Sequence, residues 1–195
     1  MQIIYDNINN YNDNEYRTMF NYLNTNDKKT ISKLIRINDK KRSILSKCLL
    51  KSIISQKYHL DYNNIHFNEN NKPFIDGIYF NISHSNDYVV LVFSNKKIGV
   101  DIEKIREVDL HSINIFCTDE EKKYILNSKN SYKSLFEIFC LKEAYFKMLG
   151  TNLLNSKNIN FIEKNNIING IRNLLHGCSN IKNKGSRKGV GEISL

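Results

Sequence analysis

Tryptophan is absent from this chain and proline occurs once, so no proline-rich linker divides it. No run of 18 apolar residues occurs, so no membrane-spanning helix is expected. The first residues, Met1-Gln-Ile-Ile-Tyr-Asp6, lack the basic and apolar regions of a secretory leader. The four cysteines (Cys48, Cys117, Cys140 and Cys178) are widely spaced with no C-x-x-C. They are expected as reduced thiols of a cytoplasmic protein, mostly filling the core, rather than as a metal cage or disulfide framework. Acidic residues are the scarcer charge, 20 against 29 Lys and Arg, which leaves a net +9. That excess favours an anionic partner: a phosphate-rich cofactor, an acidic protein or nucleic acid.

What is present is enough for a sizeable core. At 195 residues with 41% hydrophobic content, 11 Tyr and 10 Phe, the chain suits one large domain or two small halves. Residues 2–5 suit an edge strand, and Tyr16, Met19, Phe20 and Leu23 give helical spacing over 11–23. Thr25-Asn-Asp-Lys28 resembles a helix N-cap. The clearest helix is Lys41–Lys57, with a stripe of Ile44, Leu45, Cys48, Leu49, Ile53 and Ile54. Lys72-Pro73 marks a turn. Ile78–Ile82, Tyr88–Ser94 and Ile98–Glu103 predict three antiparallel strands, the first two joined by Ser83-His-Ser-Asn-Asp87. Thr118 and Glu121 form a capping-box pattern. Ser131–Leu149 predicts a second strong helix closed by Gly150. Asn160–Glu163 and Ile167–Ile171 suit a hairpin. Five of the eight glycines lie at or after position 170, and residues 174–195 show little periodicity, as in a loose tail.

Three constellations can carry chemistry. In Ile98-Gly-Val-Asp101-Ile-Glu103, read as a strand, Asp101 and Glu103 share one face. Paired carboxylates there suit a hard cation such as Mg²⁺, or simply a solvated edge. Glu143 and Lys147 lie at i and i+4 on one helix, which suits an acid–base pair or an ordinary surface ion pair. Ser83-His84-Ser85 at a strand end suits anion contacts or a polar turn. Together, three carboxylates and a lysine describe metal-assisted phosphoryl chemistry. Two other readings compete: a basic nucleic-acid-binding protein, which the charge favours, and a metal-dependent nuclease, which the isoleucine at position 105 disfavours.

Four motifs in order, Lys72-Pro73, Asn81-Ile-Ser-His84-Ser, Ile98-Gly-Val-Asp101-Ile-Glu103 and Phe139-Cys-Leu-Lys142-Glu143-Ala-Tyr-Phe-Lys147, resemble the 4′-phosphopantetheinyl transferases of the surfactin-synthetase-activating type. Phe116-Cys-Thr118-x-x-Glu121 adds to the likeness, which covers roughly residues 1–163. The resemblance implies an α+β fold of two pseudo-twofold-related halves, each a mainly antiparallel sheet packed with helices, with the site in the cleft between them. The expected division is 1–97, contacting nucleotide, 98–173, bearing the metal and catalytic carboxylates, and an atypical 174–195. The implied reaction moves the phosphopantetheine arm of coenzyme A onto a serine of an acyl or peptidyl carrier protein, releasing adenosine 3′,5′-bisphosphate. By the same resemblance, Asp101, Glu103 and Glu143 hold Mg²⁺, Glu143 serves as base, and Lys147 supports the leaving phosphate. Ser83, His84, Arg42, Lys28 and Lys72 match the nucleotide contacts. A monomer with no membrane or nucleic-acid partner is implied. Phe139 stands where the family usually has Trp. The tail lacks the further strands usual there, which raises the alternative of a catalytically weakened homologue.

Overall fold

The structure, a computed structural model, describes residues 1–151, 157–162 and 191–194. It divides into two compact units. Met1–Ile98 with the strand Gly191–Ser194 make the first, and the second begins at Gly99.

The first unit is built on an antiparallel sheet. Strand β1 (Gln2–Asn7) pairs with β5 (Tyr88–Ser94), which pairs with β4 (Tyr79–Ser85). The β4–β5 turn is closed by Asn86 at φ 52°, a left-handed conformation that asparagine tolerates. Two further strands, β2 (His66–Phe67) and β3 (Pro73–Phe74), form a separate short hairpin. Three helices complete the unit: α1 (Asp13–Tyr22), α2 (Thr25–Ser32) and α3 (Ile37–Gln56). Helix α1 starts with a capping box between Asn12 and Glu15. The cap of α2 is Asn24, not Thr25: its side chain accepts from the Asp27 N–H, a better-placed acceptor one residue earlier. Leu45, Leu50 and Ile54 of α3 join Val89, Leu91 and Phe93 of β5 in one core. Strand β5 is apolar throughout its middle, so its alternate residues can meet α3 without a polar interruption.

Asp6 is buried in this unit at 2% exposure. Its carboxylate accepts from the Asn7 N–H at 2.7 Å, Asn10 Nδ2 at 2.8 Å and the Tyr11 hydroxyl at 2.6 Å. A buried carboxylate persists only when such donors replace its water. Removing one donor in Tyr11→Phe should lower unfolding stability by about 1–3 kcal/mol. Urea denaturation checks this; an unchanged midpoint would show Asp6 to be solvated by other means.

The second unit carries α4 (Ile113–Phe116), α5 (Asp119–Leu126) and α6 (Ser131–Leu149). The Thr118–Glu121 capping box starts α5, and Gly150 at φ 77° ends α6, both as the sequence predicts. Ile113, Phe116, Ile125, Leu135, Phe136 and Ile138 form its main core. Among the described residues all strands lie in the first unit, and the chain is α+β with antiparallel pairing. No helix among these residues is long and apolar enough to cross a membrane.

Three expectations are corrected. Ile98–Glu103 is irregular rather than a third hairpin strand. The edge of β5 is taken by β1, and the segment lies against a helix instead. Ser83–Ser85 belong to β4, not to the connection after it. Within the tail read as loose, Gly191–Ser194 form strand β6, antiparallel to β1 with Gln2 opposite Ser194. A sheet edge supplies hydrogen-bonding partners that local periodicity cannot reveal. The rest of that tail, and residues 163–171 of the expected hairpin, lie outside the described residues.

Candidate functional site

Helix α6 organises the second unit's chemistry. Cys140, Glu143 and Lys147 lie at i, i+3 and i+7, one face of a helix. The segment bearing Asp101 and Glu103 packs against that helix through Gly99. A Cβ on Gly99 would stand 1.9 Å from the Ala144 carbonyl oxygen and 2.7 Å from the Met148 nitrogen. Only a residue without a side chain permits this approach. As a result Lys147 Nζ reaches the buried Asp101 Oδ1 at 2.6 Å. Glu103 is partly buried and lies 3.7 Å from Arg106.

Their charges act on one another. Burial first, then the negative field of Asp101, holds the Glu143 carboxyl above its usual range; Glu103 adds to this and Lys147 opposes it. Burial, then the negative charge of Asp101, pushes the Cys140 thiol up. Asp101, Glu103, Glu143 and Lys147 thus lie near one another in the second unit.

Beneath them lies an ion pair that neither residue exposes to solvent. Lys142 Nζ meets Glu121 Oε2 at 2.8 Å, both side chains at 0% exposure. Lys142 also donates to the Ile159 carbonyl at 2.7 Å. The Phe161 N–H donates to Glu121 Oε1 at 3.0 Å and the Thr118 N–H to Oε2 at 2.9 Å. This network ties α5, α6 and residues 159–161 together, directly beside Glu143. Sequence reading found Glu121 as a cap but missed its partner, because a lysine beside a glutamate on a helix resembles any solvated pair.

The predicted nucleotide contacts all lie in the first unit. Ser83 is buried at 5% exposure and His84 is exposed, as alternation along β4 requires. The half-buried Arg42 guanidinium donates to Asp39 and to the carbonyl of Asn86 in the β4–β5 turn, which sets it beside the end of the Ser83-His84-Ser85 strand. Lys72 lies just before β3; burial, then the charge of Lys97, lowers its proton affinity. Two lysines near enough to repel suit an anionic ligand, and Lys97 was not foreseen. Lys28 is the outlier: its ammonium caps the Asn21 carbonyl at 2.9 Å, at the end of α1.

No three acid, histidine or cysteine side chains among the described residues form a preassembled metal cage. The donor chemistry of Asp101, Glu103 and Glu143 nevertheless fits a hard dication, which takes carboxylate oxygens and completes its shell with water and phosphate. Clustered acids beside a lysine suit transfer of a phosphoryl-type group.

Comparison with known proteins gives this arrangement a family. Residues 10–96 match the 4′-phosphopantetheinyl transferase N-terminal model, and residues 97–183 match the 4′-phosphopantetheinyl transferase superfamily model. With both halves matched in order, the chain belongs to the 4′-phosphopantetheinyl transferases. It is 39% identical over 131 residues to the 4′-phosphopantetheinyl transferase gsp of Aneurinibacillus migulanus, covering 64% of this chain and 54% of that protein. It is 32% identical over 119 residues to the 4′-phosphopantetheinyl transferase Sfp of Bacillus subtilis (strain 168), covering 57% and 53%. A more distant relative, the L-aminoadipate-semialdehyde dehydrogenase-phosphopantetheinyl transferase of Xenopus laevis, is 27% identical over 143 residues, covering 62% and 47%. These matches span about half the length of each relative.

Proposed function

We propose that this protein transfers the 4′-phosphopantetheine group of coenzyme A to a serine hydroxyl of an acyl or peptidyl carrier protein. The observation that carries the reading is the convergence of Asp101, Glu143 and Lys147 on α6, within a chain whose two halves both match the family. Asp101, Glu103 and Glu143 would hold Mg²⁺, which supplies positive charge to the pyrophosphate of coenzyme A when bound.

The chain's own residues account for the proton and charge movements. The serine oxygen forms a bond to the phosphorus that bears pantetheine. The P–O bond to the remaining nucleotide breaks, and its electron pair leaves with adenosine 3′,5′-bisphosphate. Glu143 takes the serine proton, directly or through a water. Lys147, on the same face one turn later, offers a positive charge to the departing phosphate. Arg42, Lys72, Ser83 and His84 supply the nucleotide side, with His84 directed to the 3′-phosphate; Lys28 joins them if it leaves the Asn21 carbonyl. The chain's net +9 suits both coenzyme A and an acidic carrier surface. A monomer working in a reducing cytoplasm agrees with the free thiols of Cys48, Cys117 and Cys140.

Mass spectrometry of an apo-carrier protein incubated with coenzyme A, Mg²⁺ and this chain should show the phosphopantetheine mass increment. The increment should vanish on chelation and in Asp101→Ala, with a loss of at least about a hundredfold. Binding of coenzyme A without any labelled carrier would leave a non-catalytic homologue as the correct reading.

A further inference from the structure

We infer that Asp39 is a positioning residue for nucleotide binding: its carboxylate, with the Asn86 carbonyl, sets the orientation in which the Arg42 guanidinium meets a phosphate. The inference rests on the proposed function for the identity of the ligand, but not for its geometry. Asp39 and Arg42 lie at i and i+3 in the first turns of α3, on one face of the helix. Arg42 Nη2 donates to Asp39 Oδ1, and Nη1 donates to the carbonyl of Asn86, directly after Ser85 in the β4–β5 turn. The Arg42 side chain is 16% exposed, and its Nε is buried with no hydrogen-bond partner among the described residues.

A guanidinium carries five N–H donors in one rigid plane. In Arg42 one goes to Asp39, one to Asn86, and the Nε–H is shut away from solvent. Two remain, one on each Nη nitrogen, to meet an anion. With no bond at Nε, the fork is fixed only by the two contacts at its tips. The Asn86 end is anchored in a tight turn, with φ at 52°. Asp39 supplies the second point, and two points fix a direction where one leaves a pivot. A fork held in place before the ligand arrives loses less freedom on binding. The charge of Asp39 acts in the opposite sense, since a carboxylate beside the fork repels phosphate. The sign of the change on removing Asp39 therefore separates orientation from charge.

Calorimetric titration of coenzyme A into the full chain with Mg²⁺ tests this. The Asp39 side chain is 37% exposed, so variants there keep the fold. Asp39→Ala should weaken binding about tenfold, although it removes a negative charge. Asp39→Asn should bind at least as tightly as the wild type, because its amide oxygen still accepts from Nη2. In an Arg42→Ala chain, adding Asp39→Ala should change nothing. In the carrier-labelling assay, Asp39→Ala should raise KM for coenzyme A by the same factor and leave kcat unchanged. An alanine variant that binds as tightly as the wild type, or more tightly, overturns the inference. So does an asparagine variant as weak as the alanine one, or a further loss in the Arg42→Ala chain. A wild-type chain that binds coenzyme A but labels no carrier overturns the proposed transfer and leaves the calorimetry to decide the role of Asp39. A wild-type chain that binds no coenzyme A overturns both.

Discussion

Gly99→Ala should reduce carrier-protein labelling by about a hundredfold or more, although a single methyl group is added. The added carbon would stand 1.9 Å from the Ala144 carbonyl oxygen, part of a helix backbone that cannot swing aside. The Gly99 segment must then retreat by more than an ångström to reach even 3.0 Å, the closest approach of real Cβ atoms. Asp101 is two residues away and Glu103 four, so both retreat with it while Glu143 and Lys147 stay on α6. A displacement of about 1 Å is enough to cost two orders of magnitude when reacting groups are held for in-line transfer. The helical core of Ile125, Leu135 and Ile138 does not involve this contact. Far-ultraviolet circular dichroism should therefore remain near that of the wild type. A folded Gly99→Ala chain with labelling within a few-fold of the wild type would show that close approach to α6 is not required.

Lys142→Met should be the most destabilising single change in the second unit, at about 3–5 kcal/mol. It leaves the Glu121 carboxylate buried beside two backbone N–H donors with its countercharge gone, and it removes the donor to the Ile159 carbonyl. Domains are stable by only about 5–15 kcal/mol in total, so such a loss takes much of the margin. The double variant Glu121→Gln/Lys142→Met removes both charges and should recover part of it, because the larger penalty belongs to the unpaired ion. Chemical denaturation followed by tyrosine fluorescence measures both. If the single and double variants unfold at the same denaturant concentration as the wild type, the pair contributes nothing to holding Glu143 in place.

Much of the candidate site could be read directly. Glu143 and Lys147 share a helix face whatever surrounds it, since periodicity sets side-chain direction. The Thr118–Glu121 cap and the Gly150 terminus are also local, governed by the first and last turns of a helix. The reading failed where a residue's partner was distant in sequence. Ile98–Glu103 has the composition of a strand, but a strand needs a free edge, and β1 already holds that of β5. Gly191–Ser194 has no strong strand pattern, yet the open edge of β1 recruits it. Lys28 looks like any surface cation until the end of α1 supplies the Asn21 carbonyl.

Local sequence alone was sufficient for the family and the α+β class, because these depend on residue types at short spacings. The contact of Gly99 with α6 and the burial of Lys142 with Glu121 required the folded chain. Each joins residues more than 20 positions apart, and each depends on desolvation or on a missing Cβ. Such effects come from what packs alongside a residue, and a linear order of side chains does not specify that.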